Sequence, residues 1–305
     1  MKITPAPILL FAYNRLDHLK LTIDALSKNK LATVSDLYVF SDGAKENDIE
    51  SKKAVQEIRE YLTTIRGFKT INIVCHDNNK GLAKNITEAV SNYIKKYKKV
   101  IVLEDDIITS ENFLLYMNTA LEKYKNHGRI WHVSGWNYPI VEKEDKSQHA
   151  FFWRGMNCWG WGTWEDRWIY FNKDPKRIIT HWDKKKIYNF NIDGCHNFFS
   201  QIKLNSEGRI NTWAIFWYAT IFENDGLCLN PIVSLTENVG LDGSGTNCRK
   251  QSHKSLFSVS NKVSIYPEEF AEDKKILKKI QICLKENEPS LFTRIIDKLR
   301  REINK

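Results

Sequence analysis

The chain has 305 residues, 42% of them hydrophobic and 12% aromatic, which is enough to bury a sizeable core in one large domain or two small ones and excludes a disordered chain. No run approaches the roughly 18 apolar residues of a membrane span. The net charge of +9 favours anionic partners such as nucleotide phosphates, nucleic acid or an anionic membrane surface, without choosing among them.

From the N-terminus, Ile8–Tyr13 reads as a strand, and as a strand rather than a signal peptide because it flows straight into Asn14–Arg15 with no small-residue cleavage site. Leu16–Leu26 follows as a helix with Leu19, Ile23 and Leu26 on one face. Leu37–Phe40 is a strand ending at the turn Ser41–Asp42–Gly43. Ile49–Ile65 is a helix, Thr70–Cys75 a strand, Leu82–Tyr97 a helix and Val100–Leu103 a further strand. Helices alternating with short buried strands predict βαβ units and a mostly parallel sheet. Neither Gly-x-Gly-x-x-Gly after the first strand nor a P-loop is present.

The fourth strand carries the strongest chemical signal. Val100–Ile101–Val102–Leu103 runs directly into Glu104–Asp105–Asp106. Unpaired buried carboxylates are prohibitively costly, so such a strand must deliver its charge to a cleft or to the surface. In an α/β sheet the carboxyl end of a strand is where ligands sit. Three acids on one tip repel each other unless a cation joins them, and hard oxygen ligands suit Mg²⁺ or Mn²⁺. The competing reading is a solvated turn.

Beyond Ile130 the texture changes. Trp131, Trp136, Trp153, Trp159, Trp161, Trp164 and Trp168 are interleaved with Gly135, Gly155, Gly160 and Gly162. Either they shape a binding surface beside the sheet or they form a Trp-rich core. Trp213–Phe222 reads as an amphipathic helix and Leu227–Val233 as a short strand. Asn238–Asn247, rich in small and polar residues, is either a loop that brings backbone N–H groups to phosphate or a plain connection. In the charged tail, Leu291, Phe292, Ile295, Ile296, Leu299 and Ile303 lie opposite Arg294, Lys298, Arg300 and Arg301. This basic amphipathic helix either lies on an anionic membrane or packs on the domain or a partner. Six cysteines, at 75, 158, 195, 228, 248 and 283, have neither a Cys-x-x-Cys pair nor zinc-ligand spacing and read as reduced cytosolic thiols.

Phe11–Ala12–Tyr13–Asn14–Arg15, Ser41–Asp42–Gly43, Asn79–Lys80–Gly81–Leu82 and Leu103–Glu104–Asp105–Asp106, in that order, resemble nucleotide-sugar glycosyltransferases of the GT-A fold. Val133–Ser134–Gly135–Trp136–Asn137 and Cys158–Trp159–Gly160–Trp161–Gly162–Thr163–Trp164 narrow the resemblance to bacterial surface-polysaccharide cluster transferases and, more distantly, to N-acetylglucosaminyltransferase I. The resemblance runs from residue 7 to about residue 248. It implies an α/β, Rossmann-like GT-A sheet, mostly parallel and flanked by helices, with an acceptor-side Trp/Gly-rich region and a C-terminal basic helix. Residues 1–128 would bind the nucleotide sugar, 129–266 would form the acceptor half of the same domain, and 267–305 would be a helical tail.

The resemblance also assigns roles. Asp106 would ligate Mn²⁺ or Mg²⁺, which bridges the diphosphate, while Glu104 and Asp105 face the ribose and sugar. Arg15 would pair with phosphate and Asp42 would accept the uracil imide N–H. Lys84, or Lys80, would add positive charge near the donor, and Gly243 and Ser244 would cradle the diphosphate. The family's carboxylate base, near the start of the helix after the Trp/Gly segment, is missing, because Ala214 and Ile215 stand there. Glu165, Asp166 and Asp242 are the nearest candidates in sequence.

The implied function is metal-dependent transfer of a hexosyl or N-acetylhexosaminyl group from a nucleotide donor, UDP foremost, to a glycan or lipid-linked glycan acceptor. Inversion is favoured over retention. The setting would be bacterial O-antigen or capsule synthesis in the cytoplasm, with residues 289–305 touching the inner face of the plasma membrane. The alternative is a catalytically inactive module that binds nucleotide sugar or glycan. Nucleic-acid binding rests only on basic charge and aromatics, and the acid tip would repel phosphate without a metal.

Overall fold

The computed structural model describes residues 4–140, 149–241 and 256–286. In chain order the elements are β1 (Ile8–Ala12), α1 (Leu16–Ser27), β2 (Asp36–Ser41), α2 (Ile49–Leu62), β3 (Thr70–Cys75), α3 (Leu82–Tyr97), β4 (Lys99–Glu104), β5 (Ile107–Thr109), α4 (Phe113–Lys123) and β6 (Ile130–Ser134). There follow β7 (Ala150–Trp153), β8 (Trp161–Trp164), α5 (Glu165–Trp168), α6 (Pro175–His181), α7 (Lys184–Phe190), α8 (Phe199–Ser206), α9 (Ala214–Glu223), β9 (Leu227–Pro231), β10 (Thr236–Asn238) and α10 (Lys274–Glu286). The elements expected from the first hundred residues are all present, with ends shifted by a few residues where helix termini fray.

Local chemistry fixes several of these ends. Asp48 caps α2 by accepting from Ser51 N at 2.8 Å, which satisfies one of the unbonded N–H groups of the first turn. Lys98 ends α3 in a left-handed conformation, its N–H donating to Ile94 O, and Lys95 and Lys96 in the last turn complement the helix dipole.

The main sheet has eight strands in the order β3-β2-β1-β4-β8-β6-β9-β7. Strands β1, β2, β3 and β4 are mutually parallel, β8 is antiparallel to both β4 and β6, β9 is parallel to β6, and β7 is antiparallel to β9. Side chains along β1 and β4 alternate between two cores, as the period of a strand requires. Ile8, Leu10, Ile101 and Leu103 join an aliphatic core with residues of α1, α2 and α4. Leu9, Phe11, Val100 and Val102 join an aromatic core with α3, α9 and most of the tryptophans. Both faces of the sheet are covered, so its central strands are uniformly buried.

Most of the Trp cluster belongs to that core. Trp153, Trp161, Trp168, Trp213 and Trp217 in the aromatic core, and Trp164 in the aliphatic one, are each at most 4% exposed, and Trp161 stacks on Trp213 at a centroid distance of 4.9 Å. Of the tryptophans between 153 and 168, only Trp159 is not buried, so the core reading holds for the other four. Burial of large aromatic surface explains the rest. Helix α9 is likewise not amphipathic: Ile215–Ile221 are all buried, because the helix packs into the aromatic core.

Among the described residues, no helix is long and apolar enough to cross a membrane. The expected basic helix near the C-terminus lies outside the described residues.

Candidate active site

Because β2 lies on one side of β1 and β4 on the other, the connections leaving their carboxyl ends diverge between β1 and β4. Such a switch point opens a crevice at the carboxyl edge of an α/β sheet. Arg15, just past β1, and Glu104–Asp105–Asp106, at the end of β4, meet there.

Arg15 Nη2 donates to Asp105 Oδ1 at 2.5 Å and to Asp106 Oδ2 at 2.7 Å. The acid tip is held from several sides. Tyr13 N donates to Asp105 Oδ2 at 3.3 Å, Thr22 Oγ1 of α1 donates to Asp105 O at 2.8 Å, and Val239 N donates to Asp106 O at 2.9 Å. Two buried polar atoms nevertheless have no partner: Arg15 Nη1, a donor, and Asp106 Oδ1, an acceptor. Unsatisfied buried polar atoms are rare and call for an explanation. Here they lie on two side chains that are bonded to each other, one suited to an anion and the other to a cation.

Charge tells the same story. Burial, with repulsion from Asp106 and Asp105, pushes the Glu104 carboxyl up to about 8. Burial pushes Asp105 up to about 6 against the opposing pull of Arg15. The Arg15 guanidinium loses solvation, but the two aspartates more than offset this and hold it above its ordinary range. With Glu104 mostly protonated at neutral pH, one guanidinium faces two aspartates, and the site is short of positive charge.

A divalent cation fits this deficit. Asp106 Oδ1 supplies a hard, buried, unbonded oxygen. Among the described residues no group of three or more His, Cys, Asp or Glu side chains is placed to hold a metal. The donor set therefore suits an ion carried by one or two carboxylates together with ligand phosphates and water, the usual way Mg²⁺ is bound.

Gly240 closes the crevice. It follows β10, which pairs with β5 in an antiparallel ladder that sets Asn238 opposite Ile107. Its N–H is taken by Asn238 Oδ1 at 2.8 Å. A Cβ here would lie 2.2 Å from Asp106 Oδ2 and 2.6 Å from Arg15 Nη1, so only glycine lets the backbone come so close.

The other expected site residues divide. Asp42 stands at the same carboxyl edge, but its carboxylate accepts from Gly43 N, Lys80 N and Gly81 N, each at 2.9 Å. It latches the end of β2 to the start of α3, and the latch needs Gly43, whose Cβ would sit 2.3 Å from the Asn78 backbone. Lys84 is turned away: its side chain is 62% exposed and it pairs with Glu88 one helical turn on, as Lys80 also does. Asp242, Gly243 and Ser244 lie outside the described residues.

Glu165 and Asp166 are not brought to the crevice. Strand β8 runs antiparallel to β4 and pairs Trp164 with Lys99, so the residues after it emerge at the opposite edge of the sheet. There Glu165 is bonded to Lys98 at 2.6 Å, and Asp166 is bonded to Arg167. Neither is placed to serve as the base. The reversal of β8, which the sequence does not announce, is the reason.

Beside the acid tip lies a cleft lined among others by Trp136, Asn137, Tyr138, Trp159, Glu237 and Leu241. Trp136 and Trp159 meet edge to face at 4.6 Å. The segments holding both tryptophans stand out in the sequence, whereas Glu237 and Gly240 carry no signal of their own there. Segment 238–241 borders both spaces: Asn238 and Leu241 line the cleft, while Val239 and Gly240 touch Asp106.

No curated protein sequence matches the chain. Among solved structures, the mannosyltransferase PcManGT from Pyrobaculum calidifontis, in complex with GDP-Man and Mn²⁺, shares 11% identity at a TM-score of 0.38, over 73% of this chain and 72% of that one. S. aureus TarS 1–349, in complex with UDP-GlcNAc, shares 12% at 0.39, over 76% of this chain and 57% of that one, less than two thirds of its length. The galactosyltransferase LgtC, in complex with donor and acceptor sugar analogs, shares 13% at 0.36, over 71% and 70%. The GNT-I family model matches residues 1–186, a span that includes Arg15, Asp42 and the whole acid tip. The chain therefore belongs to the GNT-I family of glycosyltransferases.

Proposed function

We propose that the chain transfers a hexosyl or N-acetylhexosaminyl group from a nucleotide donor, UDP foremost, to a glycan acceptor, with Mn²⁺ or Mg²⁺ bound at Asp106. The observation that carries this reading is the pair of unpartnered buried atoms, Arg15 Nη1 and Asp106 Oδ1, in an acid-rich crevice at the sheet's switch point. A diphosphate with its cation satisfies both at once: the guanidinium takes phosphate oxygen and the carboxylate takes the ion. When bound, the ion supplies charge neutralisation of the departing nucleoside diphosphate.

The chain's own residues do the rest. Arg15 orients the diphosphate and stabilises the negative charge that grows on it as the glycosidic bond breaks. Asp105, bonded to Arg15 and to Tyr13 N, keeps the guanidinium in place. The close backbone of Gly240 excludes water from one side of the pair. UDP as donor, inversion at the anomeric carbon, a lipid-linked acceptor and a role in bacterial surface-polysaccharide synthesis follow from the family resemblance of the motifs and belong to the same proposal.

The test is nucleotide release from a panel of UDP- and GDP-sugars with Mn²⁺, for the natural chain and Asp106→Ala. Release that needs the metal and is lost in Asp106→Ala is expected. No release from any donor, or equal rates in the variant, refutes the reading. Donor binding without transfer to any acceptor would indicate the inactive module instead.

A further inference from the structure

The site as built so far accounts for the leaving group and leaves the nucleophile without a base. We propose that the aromatic cleft binds the acceptor sugar and that Glu237 is the base that takes the proton from its attacking hydroxyl, an assignment that rests on the transferase reading above.

Four observations converge on it. Glu237 is the only carboxylate among the described residues that line the cleft. Among the described residues its side chain has no hydrogen-bond or ion-pair partner, and it is partly exposed, so no described group holds it away from a ligand, unlike Glu165 and Asp166, which are tied to Lys98 and Arg167 at the opposite edge. Its place is also right. Glu237 is two residues before Val239, whose N–H bonds Asp106 O at 2.9 Å, a step of about 7 Å along an extended chain. Lastly, the cleft is built to hold a polar, flat-faced ligand. Trp136 and Trp159 offer ring faces and edges, and Asn137, 3% exposed with its Nδ2 bonded to Ile232 O, has an unpartnered buried Oδ1. A sugar has apolar C–H faces for the rings and hydroxyl donors for Asn137 Oδ1.

The step balances. The acceptor oxygen forms a bond to the anomeric carbon of the donor, and the bond from that carbon to the diphosphate oxygen breaks. The nucleoside diphosphate leaves with the electron pair. The hydroxyl proton passes to a Glu237 carboxylate oxygen, so no other reactant is needed.

The experiment measures transfer from UDP-sugars to benzyl glycosides of glucose, galactose, mannose and N-acetylglucosamine, with UDP affinity followed by calorimetry in Mn²⁺. Glu237→Gln is expected to lower kcat by about 10²- to 10⁴-fold, the usual worth of a general base, with UDP affinity within twofold. Formate is expected to restore part of the rate in Glu237→Ala. Transfer by Glu237→Gln within threefold of the natural chain overturns the assignment alone. A collapse of UDP affinity in that variant also overturns it, by moving Glu237 to the donor side. A natural chain that binds UDP but transfers to nothing refutes the transferase reading and this assignment together.

Discussion

Gly240→Ala tests the crevice with the smallest possible change. The added Cβ would lie 2.2 Å from Asp106 Oδ2 and 2.6 Å from Arg15 Nη1, about 1 Å inside normal contact for both. Backbone strain is not involved, because Gly240 is not in the left-handed region. The clash can be relieved only by moving Asp106 and Arg15, whose bond is 2.7 Å long; displacement by about 1 Å takes it past the useful hydrogen-bond range. A hydrogen bond between charged groups contributes about 1.5–3 kcal/mol, so UDP affinity in Mn²⁺ should fall roughly 10- to 150-fold. Calorimetric titration gives the affinity, and a thermal melt shows whether the fold is intact. Unchanged affinity at an unchanged Tm would refute the placing of the donor diphosphate between Arg15 and Asp106.

Three further outcomes are expected. Trp153 is buried, with its indole N–H on Asn230 Oδ1 at 2.9 Å, so Trp153→Ala should cost about 3–5 kcal/mol of stability in urea unfolding. Trp136→Ala, at the cleft, should leave the urea midpoint near that of the natural chain while weakening benzyl-glycoside binding. His132 is fully buried, its Nδ1 accepting from Trp217 Nε1 at 3.2 Å and its Nε2 facing Asn157 O at 2.9 Å. Because an indole N–H only donates, Nδ1 must stay unprotonated, and burial pushes the ring down to about 3 from 6.5. The unfolded chain takes up this proton first, so stability is lost as pH falls from about 6.5 towards 3, by up to about 1.4 kcal/mol per pH unit from this group. Urea midpoints between pH 7 and 4.5 should show a shallower loss in His132→Gln, and equal slopes would refute the role of the ring.

The first half of the chain was legible because its signals are local. Apolar runs such as Ile8–Ala12 and the periodic face of Leu82–Tyr97 declare their elements within one turn or one strand. The acid tip could be placed at a sheet's carboxyl edge because the strand before it is so plainly buried. The second half depends on pairings between distant residues. Nothing near Trp161–Trp164 says that this strand runs backwards beside β4, yet that reversal is what sends Glu165 and Asp166 to the wrong edge. Lys84 reads as free in the sequence, whereas in the fold it pairs with Glu88, four residues on. Gly240 and Glu237 gain their meaning from the ladder of 236–238 against 107–109, a contact across about 130 residues of chain that no local pattern encodes. The tryptophans misled for a different reason: composition reports how much aromatic surface there is, and only packing decides which rings face water.

Segment 238–241 forms a partition with one side to Asp106 and the other to the aromatic cleft. If filling one compartment shifts that wall, the occupancies of the two are thermodynamically linked. Whatever free energy a ligand on one side spends in shifting Val239 or Gly240 must reappear, with the same sign and size, as a change in affinity on the other. In this molecule any coupling between the acid crevice and the cleft would therefore run through four consecutive uncharged residues, and would change with substitutions there that leave every charged group in place.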